Sequence, residues 1–558
     1  MSRIAAGAVV TGLLLIILGL ALGSVRLDST TSDEISHIAA GMVKVLHGQL
    51  DFHRFQPPLW DAVLVAPLIL DGVRVPRLEH PDRVNAWSLG RSILYRGGHD
   101  SHRLLFLARL PTVAAFLALC LAVYAFVARQ TGRREWGIAA LILTGFCPLI
   151  MAHGRLATVD VATSLFLFLA VTLLIRLVER PSALVAFALG LTSAASVMSK
   201  SSGNILGPVF LAIIVLAFAL RRVADAPRFF RLFALAALMG LLFAEVAILG
   251  MASPQYIRAN FPELSSPIAR MAVPIAEGVE NIRAIHLWYV RGNDMPQFLL
   301  GEHRFTSWAH YYPVAILLKT TIPALLLVLA GVVAMIRRLP GRSAGGGETK
   351  EPSRFAAVAC FLFIAAYLIA AMRSEISVGA RYVLPVYPFA YAGAIIVIKE
   401  AWSEVARFRR RMAALLVAAL LGWHVVENLV AYPGYIAYFN ELAGRKANAD
   451  RLLIDSNLDW GQDLRRLAIW ARRNGVEEMT VHYFGGADIP TDMKGIRTNI
   501  WYSPGPDALP SGWFALSRHF YRFSESGIWP VDYETYLQAN RARFVTTVGD
   551  SILIYRVP

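Results

Sequence analysis

The chain has 558 residues, 56% of them hydrophobic and only 17% charged, a balance that excludes an ordinary water-soluble globule and points to a polytopic membrane protein. Its formal charge of +15 does not indicate a nucleic-acid partner, because the arginines are dealt out between apolar stretches rather than gathered on one face. Three cysteines, each inside an apolar run, form no metal spacing and no evident disulfide pair.

Residues 5–24 open the chain with an apolar helix. It has Arg3 at its flank and no clear small-residue cleavage site, so an uncleaved anchor is expected. Further apolar stretches run at 103–128, 136–152, 157–176, 182–198, 204–220, 231–250, 310–336, 355–372, 381–398 and 412–430, which makes about eleven transmembrane helices. Every second loop is basic. Arg129, Arg133 and Arg134 lie in one, Arg176 and Arg180 in the next, then Arg221, Arg222, Arg228 and Arg231. "GRSAGGGETKEPSR" and "KEAWSEVARFRRR" complete the set. The positive-inside rule puts these loops and the N-terminus in the cytoplasm of a multi-pass protein of the cell (inner) membrane. The outer loops 25–102 and 251–309 and the tail then face outward. No internal repeat is visible.

Between the first two apolar stretches lies "TTSDEISHIAAGMVKVLHGQ". On a helical wheel Asp33, Ser36, His37, Lys44 and His47 share one side and Ile35, Ile38, Ala39, Met42, Val43 and Leu46 the other. A helix lying flat on the outer membrane surface is expected, with Ser32 as its N-cap. Asp33 and Glu34 then fall in the first turn, where complementing the helix dipole is a sufficient reason for two acids. "DFHRFQPPLW" follows, leading into a short interfacial or re-entrant piece over 59–70.

Other outer ends carry ionisable groups in apolar surroundings: His153, Arg155 and Asp160 in "MAHGRLATVD", Lys200 in "MSKSSGN", and Arg373, Glu375 and Arg381 in "MRSEISVGARYVLP". Lys319 sits inside a span, where pairing with an acid would satisfy it. Helix starts and headgroup-reaching side chains account for each singly, but all of them collect at one membrane face. No pool of soluble activated sugar exists on the outer side, so a group transferred there must arrive attached to lipid. A sugar on polyprenyl phosphate needs cations for the departing phosphate and a carboxylate to deprotonate the acceptor hydroxyl. A transporter of lipid-linked sugars is the rival reading. It usually shows repeated halves and charges near the midplane, whereas these charges crowd one face.

The tail, 431–558, reads as a small extracytoplasmic α/β domain after a membrane domain of 1–430. "RLLIDS" is expected as a strand, "GQDLRRLAIWARRNG" as an amphipathic helix, and "EMTVHYFG", "GWFALSRHF" and "RFVTTVGDSILIYRV" as further strands or a hairpin. "DSNLDWGQD" is acidic and aromatic, as sugar sites often are, but a strand-to-helix turn in which Asp459 caps the helix is the favoured reading.

"DEISH" followed by "FQPPL" resembles the Asp-Glu and Pro-Pro-Leu pattern in the first outer loop of lipid-phosphate-dependent glycosyltransferases of the GT-C superfold. Protein O-mannosyltransferases and the lipid A aminoarabinose transferases belong to that group. "ARLPTVAAFLAL", "GRLATVDVATSLFLFLAV", "FLLGEHRFTSWAHYYPVAILLKT" and "RYVLPVYPFAYAGA" resemble its later blocks, and "YFNELAG" and "DSNLDWGQDLRRLA" a tail of many bacterial members. The likeness spans nearly the whole chain. It implies Asp33 as catalytic base with Glu34 assisting in positioning, Gln56 near the cavity, and Arg381 as a phosphate contact, extended to Lys200 and Arg155. Asp160 and His37 join the substrate-binding set. Relatives often carry Lys or His where this chain has Gln56, so that role moves to His53 or Arg54. No cofactor is implied with certainty, and a divalent metal is left open, with His37 and His53 as the candidate ligands. The partners implied are a polyprenyl-phosphate sugar donor, membrane lipids and an unspecified lipid, glycan or protein acceptor.

Overall fold

The structure, a computed structural model, describes residues 1–264, 273, 276–280, 283, 296–338, 352–402, 406–446, 448–501, 511–527 and 532–558. Much of the second outer loop and most of the glycine-rich linker lie outside those residues.

Every stretch expected to be apolar and helical is helical, but the spans are unequal. Among the described residues seven helices are long and apolar enough to cross a membrane: Arg3–Val25 (α1), Ser101–Thr131, Asp160–Glu179, Ser201–Ala219, Ala226–Met251, Ser353–Met372 and Phe408–Ala431. An eighth span is a pair, Tyr311–Lys319 and Ile322–Arg337, bent by 120°. The bend falls at Thr320 and Thr321, just ahead of Pro323 in the first turn of the second helix, where its missing N–H is harmless. The count of eleven is therefore reduced. The 136–152 stretch breaks at Cys147–Pro148 into Arg134–Gly145 and Pro148–His153, and Ala183–Ser199 and Val386–Trp402 are each only 17 residues. All three cysteines are buried and free.

The basic loops meet at one end. The Met1 amino group lies 2.6 Å from Glu135, Arg129 faces Glu179 at 3.8 Å, Arg228 donates to the Pro181 carbonyl at 3.3 Å, and Trp136 packs edge-on against Trp402. Asp160 starts the helix that Glu179 ends, some 20 residues and roughly 30 Å away.

At that far end the helix Glu34–His47 (α2) is buried from Glu34 to Lys44, not laid on a surface. It is wedged between Pro58–Leu70 (α3) and Ala86–Arg96 (α4). Glycines permit the approach: a Cβ on Gly41 would stand 2.2 Å from the Asp61 carbonyl oxygen, and one on Gly90 2.0 Å from that of Ile35. The polar face of α2 is satisfied by protein. His37 Nδ1 bonds Asp61 at 2.8 Å, and Lys44 donates to the Gln56 carbonyl at 2.7 Å and faces Asp61 at 3.5 Å. Lys319 likewise meets carbonyl oxygens, of Ile436 and Asn457, rather than an acid.

Among the described residues the tail forms a five-stranded mixed sheet. Its strands are Glu478–His482 (β1), Arg497–Ile500 (β2), Gly512–Ser517 (β3), Arg543–Val548 (β4) and Ile552–Val557 (β5), in the order β2-β1-β3-β5-β4. β1 pairs in parallel with β2 and β3, and β5 runs antiparallel to β3 and β4. The helix Leu464–Arg473 buries Leu464, Leu467, Ala468 and Ala471 with Val481, Ala515 and Ile554, the period of one helix face. On the other side Phe514, Leu516 and Leu553 pack with Tyr533 and Leu537. The stretch expected as a strand, "RLLIDS", instead makes short 3-10 turns.

Candidate active site

What seats the acid pair is the backbone just before it. Residues 29–32 run along the tail: the Ser29 N–H bonds the Gln462 carbonyl at 2.9 Å, the Ser32 N–H that of Trp460 at 3.0 Å, and the Gly486 N–H that of Thr30 at 3.2 Å. Asp33 occupies the position just ahead of α2, yet its side chain makes no capping hydrogen bond. It turns toward Arg381, whose Nη1 lies 2.8 Å from Asp33 Oδ2.

Glu34 goes the other way. Its carboxylate is fully buried against Arg109, with two 2.7 Å bonds, and accepts the N–H groups of Thr31 (2.9 Å) and Ala157 (2.7 Å). Burial alone would raise its pKa, but the Arg109 guanidinium and these N–H donors hold it below the ordinary glutamate value. Arg109 also binds the carbonyls of Val25, Asp28 and Ser29. Glu34 therefore fastens the start of α2 and does not reach the cavity.

The cavity has a volume of about 380 Å³ and is walled by both domains. The membrane domain supplies Asp33, His37, His53, Gln56, Trp87, Lys200, Gln297, Arg381 and Tyr382, and the tail supplies Asp455, Trp460 and Phe484. Behind the wall Asp160 ties the cations together, 2.5 Å from Lys200 Nζ and 3.8 Å from Arg381 Nη1. The Arg381 guanidinium lies 4.3 Å from the Trp460 ring centroid and 5.0 Å from that of Tyr382, and Lys200 Nζ is 4.6 Å from Tyr382. Burial works against the Arg381 charge, but Asp33 and Asp160 outweigh it and raise its pKa further. Burial pushes His53 down to about 3, with Lys44 adding to the effect, so this ring is neutral.

Five of the expected residues thus line one cavity with Asp33, namely His37, His53, Gln56, Lys200 and Arg381, and Asp160 is bonded to them from behind. Two do not join. Arg54, next to His53, points away and bonds Tyr256 Oη at 2.9 Å and Asn260 at 3.0 Å, with Glu277 3.7 Å off. Arg155 is fully buried and pairs with Asp28, which also meets Arg466 of the tail at 2.5 Å, so its charge locks the two domains together. Trp460 and Asp455 belong to "DSNLDWGQD", whose acidic and aromatic character fits a sugar site, but the sequence reading favoured a helix start there. Asp459 does not cap the following helix. It accepts the N–H groups of Gly461 at 3.2 Å and His519 at 3.1 Å.

His37 and His53 do not assemble a metal centre: among the described residues no three His, Cys, Asp or Glu side chains are grouped to hold a cation. The groups nearest Asp33 are cationic and aromatic. They can hold a phosphate beside a carboxylate, an arrangement suited to displacing a phosphate from carbon.

The solved structures similar to this chain include ArnT from Cupriavidus metallidurans in the apo state. It is 12% identical with a TM-score of 0.48, over 99% of this chain and 98% of that one. The same protein bound to undecaprenyl phosphate gives 12% and 0.45 over the same shares. The archaeal oligosaccharyltransferase AglB from Archaeoglobus fulgidus, in complex with an inhibitory peptide and a dolichol-phosphate, gives 12% and 0.46 over 98% of this chain and 74% of its own. No curated protein matches. Residues 101–247, which hold Arg109, Arg155, Asp160 and Lys200, match the family model of dolichyl-phosphate-mannose-protein mannosyltransferases. The similarity to that family covers these 147 residues, about a quarter of the chain.

Proposed function

We propose that this protein transfers a sugar from a polyprenyl-phosphate donor to a hydroxyl or similar nucleophile at the outer membrane face, with inversion at the sugar carbon and Asp33 as general base. The observation that carries this reading is the 2.8 Å contact between Asp33 and Arg381 in the wall of a two-domain cavity, with Lys200 beside it. Without substrate the two side chains neutralise each other. A donor phosphate competes for Arg381 and Lys200, which frees the Asp33 carboxylate to take the acceptor proton as the nucleophile attacks. Arg381 and Lys200 then face the oxygen on which negative charge grows, where fixed donors in a water-poor site act most strongly. With three-quarters of its side chain already covered, Asp33 needs little further desolvation to react. The basic loops gathered at the opposite end support placing the cavity on the extracytoplasmic side.

The experiment is sugar transfer from polyprenyl-phosphate donors by full-length protein and by Asp33→Asn, at matched expression. Transfer should be lost in the variant while its thermal unfolding is unchanged. Undiminished transfer removes Asp33 from the role of base. Movement of labelled donor across the bilayer with no new glycosidic bond identifies a transporter instead.

A further inference from the structure

Asp455 enters the cavity from the tail, in a short turn over Asp455–Asn457 that is locked against the segment carrying Arg381. Asn457 Oδ1 accepts the Ala380 N–H at 2.9 Å, and the Ser456 hydroxyl donates to the Val378 carbonyl at 3.0 Å. Asp455 itself has φ +58°, a left-handed conformation that a non-glycine residue keeps only where its surroundings fix it. Among the described residues its carboxylate bonds only the adjacent Ser456, whose N–H lies 2.5 Å from Oδ1, and no Lys, Arg or His stands within ion-pair distance.

The charges around it do not balance. At the cavity itself the two cations Arg381 and Lys200 are set against three carboxylates, Asp33, Asp160 and Asp455. His37 is turned to Asp61, His53 is neutral, His153 packs behind Trp460, Lys319 donates to the Asn457 carbonyl behind the turn, and Tyr311 and Tyr382 are further titratable neighbours. With Asp455 ionised the site is net negative before the donor's phosphate arrives, and a departing phosphate adds a further charge. A proton on Asp455 removes that surplus. Burial pushes this carboxyl up to about 6 against the pull of Arg381, with Asp33 pushing the same way.

Resting on the transferase reading above, we propose that Asp455 is a second catalytic carboxylate, the acid that protonates the phosphate oxygen leaving the sugar. The acceptor oxygen bonds to the anomeric carbon as its proton passes to Asp33. The bond from that carbon to the phosphate oxygen breaks, its electron pair stays on the oxygen, and the Asp455 proton joins it. Polyprenyl phosphate leaves as a monoanion, and Asp455 regains its proton from solvent while Asp33 loses one.

The test is kcat against pH for transfer from a polyprenyl-phosphate sugar by full-length protein and by Asp455→Asn. Asparagine is the substitution best suited to the left-handed backbone. Wild-type kcat should fall on the alkaline side, and the variant should lose that limb, with kcat about a hundredfold lower and KM little changed. An alkaline limb that persists in the variant, or a raised KM with kcat kept, overturns the proposal. If the variant does not fold, a wild-type profile with no alkaline limb overturns it equally. An inactive Asp33→Asn beside a fully active Asp455→Asn refutes the acid alone and leaves the transferase reading in place. Full activity in Asp33→Asn refutes the base instead.

Discussion

Arg381 stands between two carboxylates, with Nη1 2.8 Å from Asp33 and 3.8 Å from Asp160, while its guanidinium faces the Trp460 ring. A charge so placed holds the base at rest and is available to the phosphate during transfer. Arg381→Ala should lower kcat by about 10²- to 10³-fold, the usual cost of losing one fixed donor to a developing anion. Arg381→Lys keeps the charge but loses the planar fork and the stacking, so its activity should fall between the two. Transfer kinetics at saturating donor measure this. A change confined to KM would assign Arg381 to donor binding only.

Glu34 and Arg109 should matter to folding rather than to chemistry. Glu34→Gln strands a buried guanidinium that keeps three carbonyl partners, and we expect a loss of about 3 kcal/mol, at the low end for a broken buried pair. The folded pKa of Glu34 lies below its unfolded value, so its stabilisation is complete above about pH 4.5 and is lost as pH falls through the lower folded value. Thermal unfolding of wild type and variant should therefore converge as the buffer is acidified below that point. A variant as stable as wild type at pH 7 but inactive would make Glu34 a catalytic group after all.

The membrane helices were legible because twenty apolar residues have few other uses. Asp33 was singled out by the resemblance of "DEISH" and "FQPPL", since the helix dipole alone accounts for acids in a first turn. The surroundings of α2 were not, because a helical wheel separates polar from apolar faces without saying whether water or buried protein satisfies the polar one. The clue was Asp61, a lone acid in "PPLWDAVLVAPLIL", which meets both His37 and Lys44. Arg54 and His53 are adjacent in the chain and point to different places, a choice set by the left-handed backbone at His53. Asp455 and Trp460 lie more than 400 residues from Asp33, and no local pattern reports a contact made only by folding.

The close approach of α4 to α2 gives a test that touches no charged group. Gly90→Ala puts a Cβ 2.0 Å from the Ile35 carbonyl oxygen, so α2 and α4 must part by about an ångström and Asp33 moves with α2. Overpacking of this kind costs about 1–3 kcal/mol, and a misplaced base costs rate beyond that. We expect Gly90→Ala to fold, to unfold at a lower temperature, and to lose about tenfold or more in kcat. Gly7→Ala, where a Cβ would meet nothing within 4 Å, is the matched control and should change neither property.

Trp460 makes the tail part of the site rather than a cover over it. Its indole is fully buried, packs against His153, and presents its face to Arg381 from a segment whose backbone carbonyl also takes the Ser32 N–H. A desolvated cation–π contact is worth about 2 kcal/mol, close to thirtyfold in a rate that depends on Arg381. Trp460→Phe keeps an aromatic face but a weaker one, and should cost less than tenfold in kcat. Trp460→Leu removes that face at a similar apolar character and should approach the full loss. If both variants fold and transfer at the wild-type rate, the tail does not position Arg381, and its contribution to the cavity is shape alone.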